Sequence, residues 1–125
     1  MNNRPVILLV DDTPDTLTAL GDFLEFAGFE VLYAESGESA VERVLSSTPD
    51  LILLDIHMPG LDGYATFRTL KSLAALRDVP VLFMSTDWDQ QALPYIRAVG
   101  GTDFVRKPFQ RDELLTKIAD NLSVY

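Results

Sequence analysis

The chain has 125 residues, 10 Lys+Arg against 19 Asp+Glu for a formal charge of −9 at pH 7, and 47% hydrophobic residues. That acidic balance argues against direct nucleic-acid binding, which relies on clustered lysines and arginines to neutralise phosphates, while the apolar content is that of a packed domain and not of a disordered acidic tail. The lack of cysteine excludes disulfides, thiolate metal sites and cysteine nucleophiles.

The first five residues, Met-Asn-Asn-Arg-Pro, are too short and polar for a secretory signal. The apolar run that follows, Val6 to Val10, falls far short of the roughly 18 residues of a membrane span. A single domain over residues 1–125, cytoplasmic and without a membrane anchor, is the expectation. Val6 to Val10 is the first predicted strand, and the helix after it carries Leu17, Leu20, Leu24 and Ala27 as its core stripe. Thr13 and Pro14 stand as N-cap and first helical residue, and Gly28 as the stop. Val31-Leu32-Tyr33 is the second strand. The second helix opens at Ser36, presents Ala40, Val41, Val44 and Leu45, and ends before Pro49. Leu51 to Leu54 is the third strand, followed by a helix from about Asp62-Gly63 with Tyr64, Phe67, Leu70 and Leu73 on one face. Val79 to Met84 and Phe104-Val105 are the fourth and fifth strands, and the last helix carries Leu114, Leu115, Ile118 and Leu122. Between Trp88 and Val99 apolar residues are sparse, and Pro94 would cost about 3 kcal/mol inside a helix. A short fourth helix beginning near Ala92 to Pro94 is therefore predicted. Apolar runs without in/out alternation, separated by helices, specify an α/β fold: a parallel sheet in a three-layer α/β/α sandwich with right-handed crossovers.

In such sheets ligands bind beyond the carboxyl ends of the strands, where the strand order reverses. Strand one ends in Asp11-Asp12, strand three in Asp55, strand four in Ser85-Thr86 and strand five in Lys107-Pro108. Clustered carboxylates repel one another, and a hard divalent cation with oxygen ligands, commonly Mg²⁺ where phosphate is handled, relieves the repulsion. Asp55 can then stay ionised and nucleophilic, with Lys107 and Ser85 available to the oxygens of a transferred phosphoryl group. Phosphoryl transfer to a carboxylate needs little beyond such positioning and neutralisation.

Val-Asp-Asp at 10–12, Leu-Leu-Asp-Ile-His-Met-Pro-Gly-Leu-Asp-Gly at 53–63, Met-Ser-Thr at 84–86 and Phe-Val-Arg-Lys-Pro-Phe at 104–109 together resemble the receiver domain of two-component response regulators, over essentially the whole chain. The resemblance implies a flavodoxin-like sheet of order 2-1-3-4-5. It also implies that Asp55 accepts phosphate from a phosphohistidine of a sensor histidine kinase or phosphotransfer protein. Residue by residue, it makes Asp12 a direct Mg²⁺ ligand, Asp11 a ligand mainly through water, Asp55 both ligand and acceptor, and the His57 carbonyl a further ligand. Lys107 would pair with Asp55 before phosphorylation, held by a cis Lys-Pro peptide. Ser85 would be the switch hydroxyl, Thr86 would offer its backbone N–H to the phosphoryl group, and Phe104 would be the aromatic that turns inward when Ser85 moves. His57 and Asp87 are candidates for tuning the phosphoryl lifetime. A downstream effector is the implied output partner, read through the surface of the fourth helix, fifth strand and last helix. Dimerisation on phosphorylation is left open.

Each residue also has a plainer reading. Asp11-Asp12 can serve a helix start, Asp55 can end a strand, Lys107 can be a solvated lysine, and a strand-end serine such as Ser85 can simply bond backbone. His57, the sole histidine, lies after a strand, and Trp88, the sole tryptophan, is expected in a loop. Gln110 is a weak N-cap for the last helix, with Glu113 where a capping box would place it. Two functional alternatives remain: a non-phosphorylated docking scaffold with the same fold, and an aspartate-nucleophile phosphatase. The latter would look for a second acid two residues after the nucleophile, where this chain has His57.

Overall fold

A computed structural model describes residues 4–56, 63–85, 98 and 103–122. Five strands, β1 (Val6–Val10), β2 (Glu30–Ala34), β3 (Leu51–Asp55), β4 (Val81–Ser85) and β5 (Asp103–Arg106), form one parallel sheet in the order β2-β1-β3-β4-β5. Among the described residues the helices are α1 (Pro14–Phe26), α2 (Gly37–Ser46), α3 (Gly63–Lys71) and α4 (Arg111–Asn121), with a 3₁₀ turn at Ala74–Leu76. The predicted short helix near Ala92 to Pro94 lies outside the described residues.

The pleat divides the strand residues between two cores. Leu8, Val10, Ile52, Leu54, Val81, Phe83 and Phe104 face α2 and α3, packing with Ala40, Val44, Phe67 and Leu70. Ile7, Leu9, Leu51, Leu53, Leu82, Met84 and Val105 face the other way, onto Leu17, Leu20 and Leu24 of α1 and Leu114 and Ile118 of α4. Strands covered on both faces have no polar side, which is why they read as unbroken apolar runs. No described helix is long and apolar enough to cross a membrane.

Helix ends show where local sequence decides. Ser36 caps α2 by accepting the Ser39 N–H at 3.0 Å. At the end of α1, Gly28 adopts φ +105°, its N–H donates to the Glu25 carbonyl and the Phe29 N–H to the Leu24 carbonyl. This is a Schellman closure, and Phe29 packs back onto the core that holds Leu24. The closure turns Ala27 out into solvent, so it is not part of the core stripe; Phe29 takes the place assigned to it. Leu45 also departs from expectation, being 71% exposed: it sits one residue beyond buried Val44, about 100° around the helix from the core-facing side. Neither Thr13 nor Gln110 makes a side-chain cap, and Glu113 lies instead near Lys117, at 3.7 Å. Strand β4 starts at Val81, two residues later than the apolar run. Val79 and Pro80 precede it, following a turn at Arg77-Asp78, and Lys71 donates to the carbonyls of Leu76, Arg77 and Val79.

Long side chains also reach the outer strands. Arg43 of α2 donates through Nε to the Tyr33 carbonyl at 3.0 Å, and Lys117 of α4 donates to the Phe104 carbonyl. The Tyr33 hydroxyl donates to Glu25 Oε1 at 2.6 Å, and its side chain fills the space over Gly21, where a Cβ would lie 2.3 Å from the hydroxyl oxygen and 2.5 Å from the ring. Burial, reinforced by the hydrogen bond to Glu25 and the charges of Glu25 and Asp22, pushes the Tyr33 phenol from 10.0 up to about 12. Because the folded chain holds this proton more tightly than the unfolded one, the contribution is complete below pH 10 and disappears as pH rises to about 12. In an absorbance titration of the folded protein, one tyrosine should ionise near pH 12, and Glu25→Gln should bring it back toward the ordinary value.

Candidate functional site

The strand order reverses between β1 and β3, so their carboxyl ends open a crevice at the switch point of the sheet. Asp11, immediately after β1, is fully buried, and Asp55, the last residue of β3, is 5% exposed; Asp12 faces solvent. One carboxylate oxygen from each of the three lies within 4.8 Å of the others. Lys107, following β5, reaches into the crevice. Its ammonium donates to Asp11 Oδ2 and lies 3.4 Å from Asp55 Oδ2.

Backbone bonds set these positions. The Asp11 N–H donates to the Ala34 carbonyl of β2, the Ile56 N–H to Met84, and the Lys107 N–H to the Ser85 carbonyl at 2.8 Å. Ser85 is itself buried and ladders with Arg106 of β5. The Lys107-Pro108 peptide is cis. Asp11 serves two structures at once: Oδ1 accepts the Thr13 N–H at 2.9 Å at the entrance to α1, and Oδ2 takes the ammonium. The helix-start reading and the charged-site reading of this aspartate therefore both hold.

Lys107 pairs with Asp55, as expected, and also with Asp11, whose fully buried carboxylate lies closer to the ammonium. Phe104 lies inward, 4% exposed among residues of the Phe83 and Phe67 core. His57, Thr86, Asp87 and Trp88 lie outside the described residues.

A residue that sequence reasoning treated only as a helix start proves central to the placement of Asp55. Gly63 packs on the chain just after Asp55: a Cβ there would sit 2.3 Å from the Asp55 carbonyl oxygen and 2.5 Å from Ile56 Cα. Its N–H donates to the Ile56 carbonyl at 3.0 Å. These neighbours are backbone atoms that cannot swing aside, so the need for glycine is close approach. The signal was its place at the end of Gly-Leu-Asp-Gly, but nothing local says what it touches.

Among the described residues, three carboxylates face the Lys107 ammonium, leaving excess negative charge on a set of hard oxygen donors. This is a donor set suited to a small divalent cation, beside a carboxylate held near a lysine, as phosphoryl transfer requires. Gly63→Ala should lower stability by about 1–3 kcal/mol in urea unfolding, the β3 end being forced away from α3. Asp12→Asn, which removes one of the crowded charges, should instead raise the thermal midpoint by roughly 2–4 °C in cation-free buffer.

Residues 7–119 match the family described as the response regulator receiver domain. Protein PilH of Pseudomonas aeruginosa is 35% identical over 112 residues, covering 90% of this chain and 93% of PilH. Other curated relatives are longer, the chain spanning 48% and 50% of two regulators and 17% and 8% of two sensor kinases. Among solved structures, chemotaxis protein CheY4 of Vibrio cholerae superposes with a TM-score of 0.89 at 26% identity, over 94% of this chain and 98% of CheY4. The receiver domain of a Pseudomonas aeruginosa sensor histidine kinase, solved with magnesium in its active-site cleft, gives 0.85 at 30% identity over 97% of this chain and 99% of that one. With the fold, the acidic crevice and the family match in agreement, the chain belongs to the response regulator receiver domains of two-component signalling.

Proposed function

We propose that this chain is a phosphorylation-operated switch in which Asp55 is the phosphoryl acceptor. The observation that carries the reading is the meeting of Asp11, Asp12 and Asp55 within 4.8 Å, with the Lys107 ammonium between Asp11 and Asp55. Asp11, Asp12 and Asp55, with the His57 carbonyl added by the family resemblance, would hold Mg²⁺. Bound there, Mg²⁺ supplies neutralisation of the charge on the phosphoryl oxygens.

The chain's own residues do the rest. The Asp55 carboxylate attacks phosphorus in line, forming a P–O bond as the P–N bond to the donor histidine breaks and the imidazole departs. Lys107 follows the charge from carboxylate to phosphoryl oxygen, and the Ser85 hydroxyl and Thr86 N–H bind further oxygens. Attack of water on the acyl phosphate returns inorganic phosphate and free Asp55, with His57 and Asp87 tuning that rate. The protein thus catalyses its own phosphorylation and dephosphorylation without being a conventional enzyme. Movement of Ser85 is coupled to Phe104, altering the surface of β5, α4 and the segment between β4 and β5. The partners are a sensor histidine kinase or phosphotransfer protein and a downstream effector. A cytoplasmic location and one receiver domain over 1–125 complete the reading.

The test is calorimetric titration of beryllofluoride in the presence of Mg²⁺, alongside mass spectrometry after acetyl phosphate. Wild type should bind the former and gain one phosphoryl group from the latter, and Asp55→Asn should do neither. Uptake by Asp55→Asn would refute Asp55 as acceptor, and no uptake by wild type would favour a docking scaffold.

A further inference from the structure

On β5 the backbone groups of alternate residues point to opposite sides, and those of Phe104 point away from β4, off the rim of the sheet. Both are held by side chains. The Phe104 N–H donates to Asp103 Oδ1 at 2.8 Å, and its carbonyl accepts from Lys117 Nζ. The same ammonium lies 3.6 Å from Asp103 Oδ1 and 3.7 Å from Glu113 Oε1. The Lys117 side chain is 27% exposed, so this cluster is partly withdrawn from water.

The placement matters because the Phe104 ring and α4 lie on opposite faces of the sheet. The ring packs in the core under α2 and α3, whereas α4 packs through Leu114 and Ile118 onto the other face, beside Val105. Lys117 passes around the rim and joins the two. We propose that Lys117 is a positioning residue that clamps the main chain of Phe104 to α4, so that displacement of this aromatic residue is carried to the α4 surface.

For the role of Phe104 the inference rests on the switch reading above; the clamp itself does not. An ammonium bond to a carbonyl, lost to a methyl-ended chain, removes a charge-assisted hydrogen bond from a half-buried site. Arginine in its place can still donate. The experiment compares wild type, Lys117→Met, Lys117→Arg and Asp103→Asn as ¹⁵N-labelled full chains by NMR, with thermal unfolding measured on the same samples. Asp103→Asn weakens the clamp from the strand side, should Lys117→Met fail to fold.

Without ligand, Lys117→Met should speed hydrogen exchange at the Phe104 amide by about tenfold relative to wild type, and Lys117→Arg should restore it to within about twofold. With Mg²⁺ and beryllofluoride, Lys117→Met should bind with affinity within about twofold of wild type, while the chemical-shift changes over residues 112–121 fall to less than half. Wild-type exchange in Lys117→Met, no rescue by arginine, or undiminished shifts over 112–121 would each overturn the proposal. If wild type takes up no beryllofluoride, the switch reading fails and the transmission with it, while the exchange data still decide whether the clamp exists.

Discussion

The organisation of this molecule depends on crowded negative charge at the carboxyl end of its sheet, held in place by the Lys107 ammonium. Asp11 is fully buried and Asp55 nearly so, and a buried carboxylate without a partner is among the most destabilising groups a protein can carry. Lys107 meets that need for both, donating to one and lying 3.4 Å from the other. The arrangement links strands distant in sequence: Asp11 just after β1 and Asp55 at the end of β3 are joined through Lys107, which follows β5, with β4 supplying the carbonyl that fixes its backbone. It also leaves charge unbalanced, since one lysine cannot neutralise three aspartates. A crevice of that kind exchanges folding stability for readiness to bind a cation, a common settlement at functional sites.

The backbone contributes as much as the side chains. Asp11 sits where the first strand becomes the first helix and supplies the acceptor for the Thr13 N–H, so the charged site and the start of α1 share an atom group. Gly63 permits α3 to approach the chain directly behind Asp55. The consequence is a rigid floor under Asp55: β3 ladders with β1 and β4 on its two sides, and the helix entrance closes the third.

Much of this was legible before any coordinates. Unbroken apolar runs gave the parallel strands, Ser36 and Gly28 marked helix ends by chemistry that operates within a few residues, and the residues ending the runs pointed to Asp11, Asp12, Asp55 and Lys107, which the fold brings together. What stayed hidden was set by distance in space. Ala27 fits the helical period but lies where Gly28 redirects the chain, and Leu45 is apolar yet faces water. Which aspartate Lys107 prefers depends on relative burial, and the inward ring of Phe104 depends on the core it enters. No local pattern at Gly63 or Lys117 announces the backbone that each one meets.

The basic side chains reaching the two outermost strands have a further consequence. Arg43 occupies the outward carbonyl of Tyr33 on β2, and Lys117 that of Phe104 on β5, so each flank of the sheet presents a charged side chain where a stranger's strand would otherwise find a free acceptor. Five strands this rich in Val, Leu and Ile would make an aggregation template if their margins lay bare. With both margins guarded, lateral growth of the sheet is discouraged, and encounters between copies are directed toward helical faces.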